Sequence, residues 1–163
     1  GANKQIGKTL YYDPSYKTLE YPGGDVSMVR GVCTDVVVRA LRAVDIDLQK
    51  LIHEDMTKDF SAYPNNWGLK GPDKNIDHRR VPNQQVFFAR KGWKQSISRN
   101  PEDYWPGDIV AWKLANGRDH IGVVSNRVLG KRPLVVHNIG WGARMEDVLF
   151  DWEIIGHYRV PSA

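Results

Sequence analysis

Apolar positions in the first hundred residues recur with the period of an α-helix. Between Val36 and Val44 they fall at i, i+1, i+4, i+5 and i+8, which predicts a helix that begins near Cys33. Two further helical patterns follow. Between them, a stretch at 61–80 that is rich in glycine, proline and asparagine predicts a long loop. The three predicted helices cover residues 33–44, 48–56 and 83–91.

Beyond about residue 100 the pattern changes to short apolar runs separated by turn residues. Turn signals at Asn116-Gly117 and Gly130–Pro133 divide these runs as in successive hairpins. The predicted strands are Asp108–Leu114, His120–Arg127, Leu134–Asn138 and Ile154–Val160. Helices followed by an antiparallel sheet predict an α+β fold. Because 163 residues is the length of one domain, we expect a single domain over residues 1–163.

Composition and charge exclude several function classes. Hydrophobic residues make up 41% and charged residues 26%, as in ordinary globular proteins. The 23 basic and 19 acidic residues give a net charge of +4, and the basic residues are scattered, so we expect no nucleic-acid partner. Every uncharged apolar run is far shorter than the ~18 residues of a membrane-spanning helix. No basic start followed by an apolar run opens the sequence, which leaves the compartment undecided.

The single cysteine, Cys33, is the first candidate for chemistry. Because the sequence holds no second cysteine, no intramolecular disulfide forms. Its predicted place at a helix N-terminus exposes the thiol to unpaired backbone N–H groups, which favour the thiolate and so a nucleophile. The alternative is a buried cysteine that only fills space in the core.

Two histidines offer the base that a nucleophilic cysteine needs. His120 opens one predicted strand and His137 closes the next, so both rings can share a face and form a hydrogen bond. Gly122 on the same face is expected to leave room for the helix that carries Cys33. The alternatives are two unrelated strand-end histidines, or a zinc site made by these histidines and Cys33. We favour the cysteine–histidine interpretation and expect no metal or cofactor.

Four segments resemble the NlpC-type branch of the papain-like cysteine peptidases: Cys33 at a helix start, Pro106–Val110, Asp119–Val124 and Val135–His137. From Tyr12 to Tyr158 the chain resembles more closely a bacterial family of domains of unknown function within or beside that group. The segments that carry this closer resemblance are Tyr21–Asp25, Arg30–Asp35 and His137–Gly140. The resemblance implies a papain-like, NlpC-like fold, with N-terminal helices packed on a C-terminal antiparallel sheet.

The resemblance also implies an activity, namely hydrolysis of amide bonds in peptidoglycan peptides. Cys33 would be the nucleophile, His120 the base and His137 the residue that orients the base. Such an enzyme would be periplasmic or secreted, either remodelling the cell's own wall or attacking a competitor's. An inhibitor or immunity protein is then a possible partner. The sequence does not decide which amide bond is cut.

Four further residues are candidates for substrate binding. Tyr12 precedes the nucleophile helix, and Trp141 stands between two glycines just after His137. Many NlpC-like enzymes have Asp-Cys-Ser at the nucleophile, whereas here Val-Cys-Thr stands there and the carboxylate follows at Asp35. Arg79 is a candidate for binding substrate carboxylates. The alternatives are ordinary packing for the aromatic residues and a solvated basic patch for Arg79.

Two functions of other classes compete with hydrolysis. One is a non-catalytic module that binds peptidoglycan. The other is an acyltransferase or thioesterase on the same fold. A fold resemblance does not choose among them.

Overall fold

The computed structural model describes residues 1–162, which form three α-helices and seven β-strands. The helices are α1 (Cys33–Arg42), α2 (Leu48–Lys58) and α3 (Val81–Arg90). The strands are β1 (Tyr11–Tyr12), β2 (Arg30–Gly31), β3 (Ile109–Lys113), β4 (Asp119–Leu129), β5 (Arg132–His137), β6 (Arg144–Glu146) and β7 (Glu153–Tyr158). Within these residues, no helix combines the length and the apolar character needed to cross a membrane.

Five strands form an antiparallel sheet in the order β6-β5-β4-β3-β7. The central strand β4 is the longest and pairs with β3 on one side and β5 on the other. A separate parallel pair joins β1 to β2, with Tyr12 opposite Gly31. This pair ties the N-terminal segment to the residues that lead into α1.

Each face of the sheet has its own hydrophobic core. On one face, Ile121 and Val123 of β4 pack with the helices, whose buried residues include Val37 and Phe87. The other face carries Trp112, and a returning segment that leads into β7 covers it. That segment contributes Val148, Leu149, Phe150, Trp152 and Ile154. Side chains of β4 therefore alternate between two enclosed environments.

The structure confirms the α+β class, the three helices and the antiparallel sheet. Helix α3 begins two residues earlier than predicted, because a proline in the first helical turn costs no hydrogen bond. The short strands β1, β2 and β6 were not predicted, since two or three residues carry no readable period. Residues 61–80 are not loop throughout: Asp77–Arg79 form a buried 3₁₀ helix that packs against all three helices.

Candidate active site

Cys33 is the first residue of α1, and hydrogen bonds shape the turn before it. The backbone N–H of Val32 donates a 2.7 Å hydrogen bond to the carboxylate of Asp35, which is half of a capping box. Strand β2 ends at Gly31, so only Val32 separates the strand from the cysteine. The cysteine lies at the helix N-terminus, as the pattern predicted, but only 6% of it is exposed.

Burial determines the protonation state of the Cys33 thiol in the substrate-free protein. Burial raises the pKa of Cys33 to about 12, with the charge of Asp35 acting in the same direction. The backbone N–H groups of Ile121 and Thr34 lower that pKa, as the helix position led us to expect, but desolvation outweighs them. A pKa this far above neutral favours the neutral thiol at neutral pH, in place of the expected thiolate.

Three side chains form a relay across β4, β5 and β6. Nε2 of His120 lies 2.8 Å from Nδ1 of His137, which is the contact that the strand pattern predicted. Nε2 of His137 lies 2.9 Å from Oε1 of Glu146. Glu146 stands opposite Val135 in the β5–β6 register, so its side chain reaches His137 along the diagonal.

Two tryptophans enclose the relay. Trp112 stacks on His120 with ring centroids 5.6 Å apart, and Trp152 lies nearly perpendicular to His120 at 5.7 Å. Burial, followed by the neighbouring His137, lowers the pKa of His120 to about 3. Burial also lowers the pKa of His137, although Glu146 opposes that change. Both rings are neutral at neutral pH, so each has one N–H and one unprotonated nitrogen.

Cys33 and His120 are neighbours through the backbone of β4. The backbone N–H of Ile121 acts on the sulfur of Cys33, and Ile121 packs in the same core as that cysteine. The side chain of His120 points to the opposite face of the sheet, where Trp112 lies. Among residues 1–162, no hydrogen bond joins the sulfur to either histidine ring. Within the described residues, the thiol and the base therefore share a strand backbone but no hydrogen bond.

Gly122 has a different role from the one we expected. A Cβ added there would lie 2.8 Å from Cγ1 of Val135 and 3.1 Å from Cβ of His137. The space is therefore filled by strand β5 rather than by the helix of Cys33. The glycine lets His137 approach β4 closely enough for the two rings to meet.

A pocket of about 180 Å³ opens at Cys33. Tyr12 lines it and is 40% exposed, and the pKa of Tyr12 is raised by burial and then by Cys33. Tyr12 thus lies at the pocket beside Cys33, and its contact with a substrate stays a prediction. The remaining lining residues are Pro14, Val32, Thr34, Ile76, Arg79, Val81 and Asp119. A larger groove of about 870 Å³ lies elsewhere and contains none of the predicted site residues.

Asp35 and Arg79 bind each other instead of presenting free charges. Nε and Nη2 of Arg79 each donate a 2.9 Å hydrogen bond to the carboxylate of Asp35, and both side chains are almost completely buried. Arg79 also donates weakly to the backbone carbonyls of Asp13 and Ser15. Their polar groups are occupied by this pair, which supports the pocket wall, and direct contact of either residue with a substrate stays a prediction.

Trp141 lies on an exposed loop. It is 71% exposed and does not line the pocket at Cys33. The following Gly142 has a positive φ of 83° and packs so closely on the backbone of Thr9 and Leu10 that a Cβ would clash there. The loop is therefore fixed beside β1, while its tryptophan faces solvent. A substrate contact by Trp141 stays a prediction.

The geometry does not favour the zinc alternative. The nitrogens of His120 and His137 point at each other rather than at a common centre. Within residues 1–162 no cluster of three His, Cys, Asp or Glu side chains has the arrangement of a metal site. The rings are arranged to pass a proton or to orient one another, and this arrangement suits general-base chemistry.

Glu146 and Trp152 were missed by the sequence analysis. The only signal for β6 was a polar–apolar–polar triplet, Arg144-Met145-Glu146, which is too short to predict a strand. Trp152 belongs to an irregular segment whose position depends on the return of the chain into β7. Neither residue could be placed beside His137 without the tertiary fold.

Comparisons with known proteins identify one family and one similar protein. The sequence profile described as "Domain of unknown function (DUF1287)" matches residues 1–160. The chain is also 60% identical over 160 residues to the uncharacterized protein YijF of Escherichia coli (strain K12). The aligned region covers 98% of this chain and 78% of YijF. A match over nearly the whole length fixes the family: the chain belongs to the DUF1287 family.

Proposed function

We propose that this protein is a cysteine amide hydrolase of the papain-like, NlpC-like type, acting as an amidase or endopeptidase on peptidoglycan peptides. The observation that carries the proposal is the His120–His137–Glu146 relay, adjacent to a cysteine at a helix N-terminus. The order of cysteine, histidine and polar third residue along the chain supports the same activity. Helices packed on an antiparallel sheet are compatible with the papain-like fold.

The reaction begins with a substrate carbonyl in the pocket at Cys33. His120 takes the thiol proton while the sulfur attacks the carbonyl carbon, and the carbonyl electron pair moves onto oxygen. The backbone N–H of Cys33 lies at the start of α1, where N–H groups lack helical partners, and is placed to donate to this oxygen. One such donor contributes ~3 kcal/mol to transition-state stabilisation.

Three further proton transfers complete the cycle. The tetrahedral intermediate collapses, the C–N bond breaks, and His120 returns its proton to the leaving amine. His120 then deprotonates a water molecule, and the resulting hydroxide attacks the thioester carbon. The C–S bond breaks, His120 returns its proton to the sulfur, and the carboxylic acid and the thiol are released. Because both groups are neutral at rest, the proton moves during attack. In the substrate-free protein the ring of His120 and the sulfur of Cys33 lie on different sides of β4, so the proposal requires that substrate binding reorient one of them until they are within hydrogen-bond reach.

The proposed substrate also fixes a proposed location. Peptidoglycan lies outside the cytoplasmic membrane, so the enzyme would be periplasmic or secreted. Tyr12 at the pocket mouth is the candidate for the first substrate contact, and Trp141 for a more distant one. As a wall-remodelling enzyme or as an antibacterial effector, the protein would meet an inhibitor or an immunity protein at this pocket.

Digestion of purified peptidoglycan tests the proposal. We expect the wild-type protein to release new amines and carboxylates, identified by mass analysis of the fragments, and the Cys33→Ala variant to release none. Wild-type fold in that variant, measured by circular dichroism, serves as the control. Equal digestion by both proteins would show that Cys33 is not the nucleophile.

One observation favours a second candidate function, a peptidoglycan-binding module without turnover. The thiol is buried and neutral, and it has no hydrogen bond to His120 within residues 1–162. A module of this kind would sediment with intact sacculi, and Cys33→Ala would sediment equally well. Acyl transfer, the third candidate, would instead place the acyl group on an added amine.

A further inference from the structure

We infer that Glu146 is a positioning residue that fixes the tautomers of both histidines, so that Nδ1 of His120 is the unprotonated nitrogen. The inference rests on the proposed function only for the use of that nitrogen as the base towards Cys33. The tautomers themselves are a property of the substrate-free protein. The tautomers do not depend on which amide bond is cut.

The Glu146 carboxylate determines the direction of both hydrogen bonds in the relay. An ionised carboxylate only accepts hydrogen bonds, so Nε2 of His137 donates its hydrogen to Oε1 of Glu146. A neutral ring with hydrogen on Nε2 has none on Nδ1. Nδ1 of His137 must therefore accept, and Nε2 of His120 donates to it over 2.8 Å. The hydrogen of His120 is thereby on Nε2, and its Nδ1 is unprotonated.

The surroundings keep this chain of hydrogen bonds intact. His120 and His137 are 2% and 1% exposed, and the tryptophans at 112 and 152 cover the rings. Water therefore cannot easily replace either contact between the rings and the carboxylate. Glu146 differs from them, because its side chain is 42% exposed and is in contact with water. The hydrogen-bond acceptor Glu146 is therefore the solvent-exposed end of the relay, and the candidate base His120 is the buried end.

Strand register explains why Glu146 reaches His137. Arg144 stands directly opposite His137 in the β5–β6 pair, and Glu146 stands opposite Val135. Since alternate residues share a face, Glu146 lies on the face of His137, one diagonal away. The neighbouring Asp147 bonds Arg132 instead. Of these two adjacent carboxylates, Glu146 is the one that contacts His137.

The arrangement also suits the step in which the base becomes charged. When Nδ1 of His120 accepts the thiol proton, the ring becomes an imidazolium and keeps its hydrogen bond to His137. Glu146 strengthens that bond by polarising His137, and no second proton has to move. With the opposite tautomer, Nδ1 would already hold a hydrogen and could not accept one. The relay thus prepares His120 for the first proton transfer.

Imidazole ¹⁵N spectra of the substrate-free protein test the inference at neutral pH. We expect His120 in the wild type to show a protonated Nε2 and an unprotonated Nδ1. Glu146→Leu should convert His120 and His137 to mixed tautomers. Glu146→Gln, whose Oε1 can still accept, should largely restore the wild-type pattern. Asp147→Asn removes the adjacent carboxylate and should leave both rings unchanged.

Two results would overturn the inference: a protonated Nδ1 on His120 in the wild type, or wild-type tautomers in Glu146→Leu. The spectra stand independently of activity, so the tautomers can be as inferred in a protein that hydrolyses no peptidoglycan. In that case the proposed function fails and the tautomer assignment survives. If hydrolysis is observed, Glu146→Leu should lower kcat by roughly tenfold or more, because the wrong tautomer cannot accept the thiol proton.

Discussion

Trp112 and His120 face each other across the β3–β4 pair, with their rings stacked at 5.6 Å. The Nε1–H of Trp112 donates to the backbone carbonyl of Leu149 over 2.9 Å, which fixes the plane of the indole ring. A fixed indole fixes the imidazole beneath it. The candidate base therefore owes its orientation to two contacts, the stack with Trp112 and the hydrogen bond to His137.

Removing the Trp152 side chain should raise the pKa of His120. Trp152→Ala admits water to His120 and His137, so we expect the pKa of His120 to rise from about 3 towards its ordinary value. Histidine NMR titration measures this change. Trp105→Ala, which removes a tryptophan that is 57% exposed and stacks on Arg159, is the matched control. An unchanged His120 titration in Trp152→Ala would show that this tryptophan does not desolvate the ring.

The reactivity of Cys33 should follow its burial. With the pKa of Cys33 raised to about 12, we expect slow alkylation by iodoacetamide at neutral pH and a rate that still increases above about pH 9. Because Cys33 is the only cysteine, the label reports on this site alone. A rate that reaches its plateau below about pH 7 would instead indicate a thiolate–imidazolium pair at rest.

Breaking the buried pair of Asp35 and Arg79 should destabilise the fold. Asp35→Leu leaves the Arg79 guanidinium buried without its partner, so we expect the free energy of unfolding to fall by about 3–5 kcal/mol. The double variant Asp35→Leu/Arg79→Met removes both charges and should recover part of that loss. Urea denaturation measures the wild type, the two single variants Asp35→Leu and Arg79→Met, and the double variant. Additive effects of the two single substitutions would show that the pair is not coupled.

Buried histidines should make the protein sensitive to acid. Burial lowers the pKa of His120 to about 3 and that of His78 to about 4, and it also lowers the pKa of His137. Since these rings bind protons only after unfolding, their contribution is present above the unfolded pKa of about 6.5 and is lost as the pH falls towards the folded values. We expect the urea midpoint to decrease from about pH 7 to about pH 4.5. A constant midpoint would contradict the burial of these rings.

The sequence predicted those parts of the site that depend on regular local pattern. Helix periodicity placed Cys33 at a helix N-terminus, and strand alternation placed His120 and His137 on one face. It could not predict Glu146, because a three-residue strand has no readable period. It also could not predict that Asp35 and Arg79 pair with each other, because they lie 44 positions apart and meet only in the folded chain. The state of the thiol depended on burial, and burial is a tertiary property.

Hydrolysis in heavy-oxygen water is the most direct measurement of the central claim that the protein hydrolyses an amide bond and needs Cys33 and His120 to do so. Soluble peptidoglycan peptides would be incubated with the wild type, Cys33→Ala and His120→Ala, and the products would be analysed by mass spectrometry. We expect one heavy oxygen in each new carboxylate made by the wild type, and no cleavage by either variant. Bound but uncleaved peptides with the wild type, or cleavage that persists in Cys33→Ala, would contradict that claim.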